Sequence, residues 1–512
     1  MAGRKRSQRS FPGLLATSHL LKGNYLKILV TGATGYVGGR LIPELLSAGH
    51  EVRCLVRDAS RMRDKWWSEK VETIEGDVLD EASLVGVFEG IESAYYLIHS
   101  LGGFQNDLIS TEEQAAHNFG KAAHNEGVDR IIYLGGIEPT TVKTSKHLSS
   151  RIKTGEALRS SGVSVTEFRA GVIVGSGSLS FELVRYLSER VPVLITPKWV
   201  RTRTQPIGVR DVLSYLTAAL STPKSRDQII EIGGSEVLSY ADMFTIYADL
   251  RQLRRPILKV PVLTPKLSSL WVGLVTPINT KIARLLIDGL DNEVIVTNPI
   301  ALTMFDIRPV NYSVAVSRAL KRFDSDDVET YWSGSVSSGL SDNQIYSTLG
   351  ESENLITEKN RIVVKTSPEA AFKVVTSLGG DTGWLYADFL WRLRGFIDTA
   401  LGGVGMRKSR RSPTALQQGD TIDFWRVERV DAPNYLLLRA EMKLPGLAWL
   451  EFNISKQEDG KTSITQTAYY EPKGVAGLLY WYLFSLPHRF IFPGMLKQIG
   501  ILAERQNQQA DS

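Results

Sequence analysis

The stretch that decides the fold is Ile28–Leu41, "ILVTGATGYVGGRL". An aliphatic run ending at Thr31 reads as a β-strand, and three glycines follow it, Gly32, Gly35 and Gly38, just before a helical pattern begins. Glycines at this spacing let the backbone turn tightly, approach an anion closely and pack the helix against the strand. The start of that helix then offers N–H groups and the positive end of its dipole to a pyrophosphate. Gly32, Thr34, Gly35, Tyr36, Val37 and Gly38 are therefore candidates to hold a dinucleotide. A lone triple-glycine motif is weak evidence, but this one opens a regular β-α alternation.

That alternation continues to about residue 175. "LKILVTG", "HEVRCLVR", "VETIEGD", "SAYYLIHS", "DRIIYLGG" and "VSVTEFRAG" read as strands, with "GGRLIPELLSAG", "ASLVGVFEG", "TEEQAAHNFGKAAHNEG" and "HLSSRIKTGEALRSSG" as the helices between them. The fold class is α/β, a Rossmann doubly wound parallel sheet, because strands joined through helices need right-handed crossovers. Residues 176–323 are less regular, with one helix in "PIGVRDVLSYLTAAL" and one more strand in "QIIEIGG", and read as a small region capping a substrate cleft. Residues 26–323 thus form one dinucleotide-binding domain. Residues 324–360, rich in Ser, Gly, Asp and Asn, read as a linker. Residues 361–505 read as a second, α+β domain of the helix-grip type: long alternating strands followed by an apolar helical stretch that Pro487 should kink.

Composition sets the outer limits. At 512 residues, 43% hydrophobic and 22% charged, the chain is long enough for two or three cores and too apolar to be disordered throughout. A net charge of +5 over that length does not call for a nucleic-acid partner. Cys54 is the single cysteine, so no intrachain disulfide forms, and a reducing, cytoplasmic setting follows. No run reaches the roughly 18 apolar residues of a membrane span. Residues 1–25 carry Arg4, Lys5, Arg6 and Arg9 without the apolar core of a secretory signal, and read as a disordered basic tail. The basic stretch "GMRKSRRSP", Gly405–Pro413, reads as an exposed loop able to touch anionic lipid, a peripheral membrane contact. Nothing spaces His, Cys or acids as metal ligands, so no metal is expected, and no pattern specifies an oligomeric state.

Cofactor choice depends on the end of the second strand, "LVRDASRMR". An acid there bonds a ribose 2′-hydroxyl and a cation pairs with a 2′-phosphate. Arg57 holds the position, with Arg61 and Arg40 within reach, which favours NADP(H) over NAD(H) bound through Asp58; Arg63 reads as part of a solvated face. Asp77 and Val78 in "EGDVLD" sit where a strand end meets an adenine, and His99 ends the fourth strand near the expected nicotinamide. His117 and His124 read as packing or solvent-facing residues.

"TGATGYVGGRL" together with "GDVLD" resembles the extended and atypical short-chain dehydrogenase/reductase superfamily over residues 26–320, and "QPIGVRDV" resembles its later motif, which closes over cofactor and substrate. "YLGGI", "SKHLSSRIKTGEALRSSG" and "FRAGVIVGSGS" most resemble the bacterial YbjT-type proteins that carry a DUF2867-type domain, and the tail is similar to the START-like helix-grip superfamily. The superfamily's reaction implies a Tyr-x-x-x-Lys pair, which this chain lacks. His147 and Arg151 stand on the matching helix, one turn apart. His147 is suited to proton transfer near neutral pH, and Arg151 to binding ribose or phosphate. Gly135 and Gly136 replace the expected hydroxyl donor. One reading is an NADP(H)-dependent oxidoreductase or epimerase-like enzyme acting on a small apolar ligand, with His147 and Arg151 as its catalytic residues. A second is a non-catalytic nucleotide-binding protein, structural or redox-sensing, similar to the accessory subunit of respiratory complex I. A third is a lipid or isoprenoid carrier, if Trp384, Trp391, Trp425, Trp449 and Trp481 line a cavity and do not simply fill a core.

Overall fold

The computed structural model describes residues 25–62, 65–99, 108–139, 146–196, 198–259, 292–324, 355–400, 403–406, 415–457, 460–472 and 474–510, with 272, 284, 287, 289, 290 and 330 besides. The expected basic tail, Arg63 and residues 407–413 of the basic loop lie outside them.

Seven strands form the first sheet: β1 (Lys27–Thr31), β2 (Glu51–Val56), β3 (Glu72–Glu75), β4 (Ser93–Tyr96), β5 (Arg130–Gly136), β6 (Val165–Ala170) and β7 (Ile229–Ile232). Their order is β7-β6-β5-β4-β1-β2-β3, and every neighbouring pair is parallel. The strands are aliphatic on both faces because helices cover both. Alternate residues of β1 divide between two cores. Ile28 and Val30 pack with Leu41 and Leu45 of α1 (Gly38–Ser47) and Val212 and Leu216 of α5 (Val209–Leu220). Leu29 packs on the other side with Ala116 and Phe119 of α2 (Leu108–Asn125) and Leu158 of α3 (Lys146–Arg159). Cys54 is buried in β2, and burial pushes its thiol up to about 12, so it serves as core and not as a nucleophile. His117 and His124 on α2 are exposed.

Two sequence expectations fail locally. Residues 82–90 make a single 3₁₀ turn, Glu81–Leu84, in place of a helix, because Gly86 and Gly90 adopt positive φ of 76° and 71°. The capping region is more ordered than its pattern suggests. In it α4 (Leu179–Arg190), α6 (Tyr240–Leu250) and α7 (Tyr312–Asp324) share a core built on Phe181, Leu187, Phe244, Tyr247 and Val316.

The expected linker is not free of structure at either end. Thr330, 5% exposed, lies against α1, where it accepts a hydrogen bond from Arg40 Nε at 2.6 Å and donates one to the carbonyl of Tyr36 at 3.0 Å. A Cβ at Gly39 would stand 2.9 Å from the Thr330 methyl, so the contact needs a glycine. Strand β8 (Ile356–Val364) begins inside the stretch read as linker, and the last helix runs past residue 505.

The second sheet contains β8, β9 (Thr421–Ile422), β10 (Trp425–Asp431), β11 (Tyr435–Ala440), β12 (Gly446–Lys456) and β13 (Thr462–Pro472). It is antiparallel, in the order β8-β13-β12-β11-β10-β9. One face carries Leu450, Phe452, Ile454, Ile464 and Ala468, and α8 (Pro368–Thr376) and α10 (Gly474–Ala510) pack on it through Val375, Met495, Leu496, Ile499 and Ala503. Helix α10 continues through Pro487 and Pro493. All five tryptophans named above are buried, and Trp384 stacks on Trp391 of α9 (Asp388–Ala400) with ring centroids 4.9 Å apart. These rings fill space as core residues.

Two stability measurements follow. Arg40 is 5% exposed and its fork also donates to the carbonyl of Ser176 at 2.8 Å, so Arg40→Ala should lower the unfolding free energy by about 2 kcal/mol in denaturant melts. Arg40→Lys should not restore it, because an ammonium cannot span the two acceptors. His488 packs between Trp481 and Phe492, and burial pushes its pKa down to about 4. The folded state keeps it neutral while the unfolded chain takes up the proton near pH 6.5, so its contribution to stability falls as pH drops from about 6.5 to about 4. Denaturant titrations across that window should show a shallower pH dependence in His488→Phe.

Candidate functional site

The strand order reverses between β1 and β4, and that switch point opens a crevice at their carboxy-terminal ends. Thr31 holds its floor: the buried hydroxyl donates to the Tyr95 carbonyl at 3.0 Å and accepts from the Leu97 N–H at 3.1 Å. Gly32 follows at φ 69°, and a Cβ there would lie 2.6 Å from the Leu97 carbonyl oxygen. Gly35 N–H donates back to Gly32 at 2.8 Å, and a Cβ on Gly38 would sit 2.3 Å from that same Gly32 oxygen. Helix α1 has no side-chain cap and no acid in its first turn, so the positive end of its dipole is left for an anion. The turn therefore fits a dinucleotide pyrophosphate. Thr34, Tyr36 and Val37 lie within it; the Tyr36 hydroxyl packs against Gly175, where a Cβ would come within 2.5 Å, and Arg40 stacks 4.7 Å over the Tyr36 ring.

At the end of β2, Arg57 is exposed and makes no hydrogen bond or ion pair among the described residues. Asp58 is exposed beside it, and Ala59 N–H donates to Glu75 Oε1 at 2.7 Å. Arg40 does not join them, contrary to expectation, since its guanidinium is committed to Ser176 and Thr330. At the end of β3, Asp77 Oδ1 accepts from the Leu79 N–H at 3.0 Å and its own N–H donates to Ser83 Oγ at 2.9 Å. The Val78 side chain is buried in the core, and its carbonyl accepts from Asn118 Nδ2 at 3.0 Å. This corner is fixed by its own hydrogen bonds.

Polar groups gather at the ends of β4 and β5. His99 Nδ1 lies 3.9 Å from Glu112 Oε1 of α2, and Ser150 of α3 donates to the other Glu112 oxygen. Arg151, next on α3, donates to the Leu134 carbonyl at 3.2 Å, while the Tyr133 hydroxyl donates to the Arg151 carbonyl at 3.0 Å. Burial and then the Arg151 charge push the His99 pKa down to about 4 against the pull of Glu112, so the imidazole is neutral at pH 7, with one donor and one acceptor nitrogen. Burial pushes the Tyr133 phenol up to about 12, which makes it a structural donor.

Helix α3 carries His147 in its first turn, but the His147 side chain lies outside the described residues. The glycines in place of a hydroxyl donor have a steric reason. A Cβ on Gly136 would meet Leu148 at 3.1 Å and Arg151 at 3.4 Å, so the arginine occupies that room. Behind it, buried Glu167 pairs with Arg159 and with Arg169 at 2.6 Å, and Gly155 gives it space. Glu112, Ser150 and Glu167 are absent from the sequence reading. Each is an ordinary polar residue of an element, and only the packing of α2 and α3 on the sheet brings them together.

"QPIGVRDV" proves to be a brace. Gln205 donates to the Gly234 carbonyl at 2.7 Å and accepts from the Val296 N–H at 3.0 Å, and Asp211 accepts from the Val310 N–H at 3.1 Å. These bonds tie β7 and the segments around residues 296 and 310 to the start of α5.

Two families match the chain. Residues 32–171 match the family described as NAD(P)H-binding, and residues 355–495 match "Protein of unknown function (DUF2867)". Cinnamoyl-CoA reductase 1 of Oryza sativa subsp. japonica is 29% identical over 112 residues, 21% of this chain and 33% of that protein. The chain spans about a third of the length of this and two further curated relatives. The photosystem II assembly factor Ycf39 of Trieres chinensis is 21% identical over 250 residues, 48% of this chain and 76% of that protein. Among solved structures, the NADPH-dependent quinone oxidoreductase QOR2 of Escherichia coli, complexed with NADPH, matches 57% of this chain and 99% of its own at 15% identity and a TM-score of 0.48. The chain thus joins an NAD(P)H-binding domain to a DUF2867 domain.

Proposed function

We propose that this protein is an NADP(H)-dependent oxidoreductase acting on a small, apolar carbonyl or alcohol compound. The observation that carries the reading is the group of half-buried His99 and Arg151 with buried Glu112 and Ser150 at the end of the crevice that the glycine turn opens. A dinucleotide laid across a switch point extends from such a turn toward the neighbouring strand ends. The cofactor, when bound, supplies or accepts the hydride. The chain's own residues hold it and manage charge and protons. The glycine turn and the α1 dipole take the pyrophosphate, Arg57 pairs with a 2′-phosphate, and Asp77 and Val78 border the adenine. Arg151 brings a fixed positive charge to the far end of the crevice, where it stabilises a ribose oxygen or a developing alkoxide. Glu112 orients neutral His99 and Ser150, and His147, one turn before Arg151, moves the proton.

A second reading is favoured by one observation: Leu148 and Arg151 occupy the space beside Gly136, so no hydroxyl donor stands there. In that reading the dinucleotide is held without turnover, as a structural element or a redox sensor.

Two experiments test these readings. Fluorescence titration should give tighter binding for NADPH than for NADH, and Arg57→Ala should remove about tenfold of NADPH affinity while leaving NADH unchanged. Equal binding of the two cofactors, unmoved by the substitution, would overturn the NADP(H) assignment. NADPH oxidation should then be followed with a panel of carbonyls and quinones. His147→Ala should lower kcat by about a hundredfold or more, with cofactor binding kept. Binding without oxidation by the wild-type protein would select the second reading.

A further inference from the structure

We propose that the carboxy-terminal domain docks on an anionic lipid bilayer through the outward faces of α9 and α10. Leu479, Tyr482, Leu483 and Phe490 on α10, and Phe389 and Phe396 on α9, are each 65 to 72% exposed. Elsewhere among the described residues only Tyr25, Trp66 and Val85 are as open, and those are scattered. Single exposed apolar side chains are ordinary, but a concentration on two helices marks a contact surface. The helices adjoin: Arg394 Nε of α9 donates to the Tyr480 hydroxyl of α10 at 3.4 Å, and the Trp391 and Phe492 rings lie 6.4 Å apart.

Neither helix needs those residues for its own packing. Trp391 and Gly395 form the inward face of α9, and Trp481, Ile491, Phe492 and Met495 that of α10, so both helices are apolar on both sides. A helix of that kind is covered on its second face by another apolar phase. No helix among the described residues is long and apolar enough to cross a membrane, so the contact is with a bilayer surface.

Charge selects the occupant. The sequence has no acid from Gly474 to Ala503, and Arg489 and Lys497 are exposed there. On α9, Asp398 is fully buried and accepts the N–H groups of Gly405 at 2.8 Å and Lys443 at 2.7 Å, while Asp388 is paired with exposed Arg392 at 2.6 Å. Glu358 of β8 lies within electrostatic reach of Arg489, while Lys497 makes no ion pair among the described residues, so the balance of charge around the apolar surface is positive through Lys497. A second copy of the chain meeting it across a two-fold axis would bring like charges together, whereas anionic headgroups complement them.

The test is flotation of the full-length protein with vesicles of phosphatidylcholine alone and of phosphatidylcholine mixed with phosphatidylglycerol. The wild type should float with the mixed vesicles, less with the neutral ones, and less at high salt. Leu483→Gln with Phe490→Gln should reduce partitioning by about tenfold or more, and Arg489→Gln by a few-fold on anionic vesicles only. Both positions are exposed, so circular dichroism and melting temperature should be unchanged, and Val85→Gln on the first domain should leave binding intact. No flotation with either vesicle, or flotation indifferent to the double substitution, would overturn the proposal. So would a dimer in sedimentation velocity that the double substitution dissociates while vesicles bind nothing, since the face would then be a protein interface.

Discussion

The close approach of Gly32 to Leu97 is the contact on which the geometry of the glycine turn rests. Thr31 bonds β1 to β4 through its hydroxyl, and the chain then turns with only a hydrogen where any other residue would drive a Cβ into the Leu97 carbonyl. Gly38 repeats the constraint one step on, against Gly32 itself. The helix that follows is thereby aimed with its uncapped end toward the crevice. Arg40 and Thr330 clamp the other side of the same turn, so a residue far along the chain helps fix the phosphate cradle.

At the ends of β4 and β5 the polar groups are arranged around Arg151. Arg151 is set against Leu134 and Gly136, with neutral His99 and buried Glu112 beside it. An arginine cannot lose its proton, so in the proposed function Arg151 contributes charge and geometry and His147 moves the proton. The Glu167 pairs with Arg159 and Arg169 tie α3 to β6 behind Arg151.

The second domain contrasts an inner and an outer apolar surface. Trp384 and Trp391 stack with Phe424 inside it, where aromatic area gives the core its bulk. The stretch that forms α10 was read as an apolar helix, and the structure uses one of its faces for the domain while leaving Leu479, Tyr482, Leu483 and Phe490 open to water on the other. Periodicity could not separate the two faces, because a helix apolar all round has no preferred side until a sheet is packed on it.

What the sequence determined by itself was the alternation of strands and helices, the glycine turn and the position of Arg57, because each is a local property: a period, a steric requirement, a charge at a strand end. It also located His147 and Arg151 on one helix, since residues four apart share a face. It misjudged residues 82–90, where two glycines outweighed the apolar pattern, and it assigned Arg40 to the cofactor when the fold uses that side chain as a clamp. Only the tertiary structure decided that Glu112 and Ser150 join His99, that Arg151 fills the space beside Gly136, and that Thr330 belongs to the phosphate turn. Those partners are separated by tens to hundreds of residues, and nothing in a residue's identity announces a neighbour that only packing supplies.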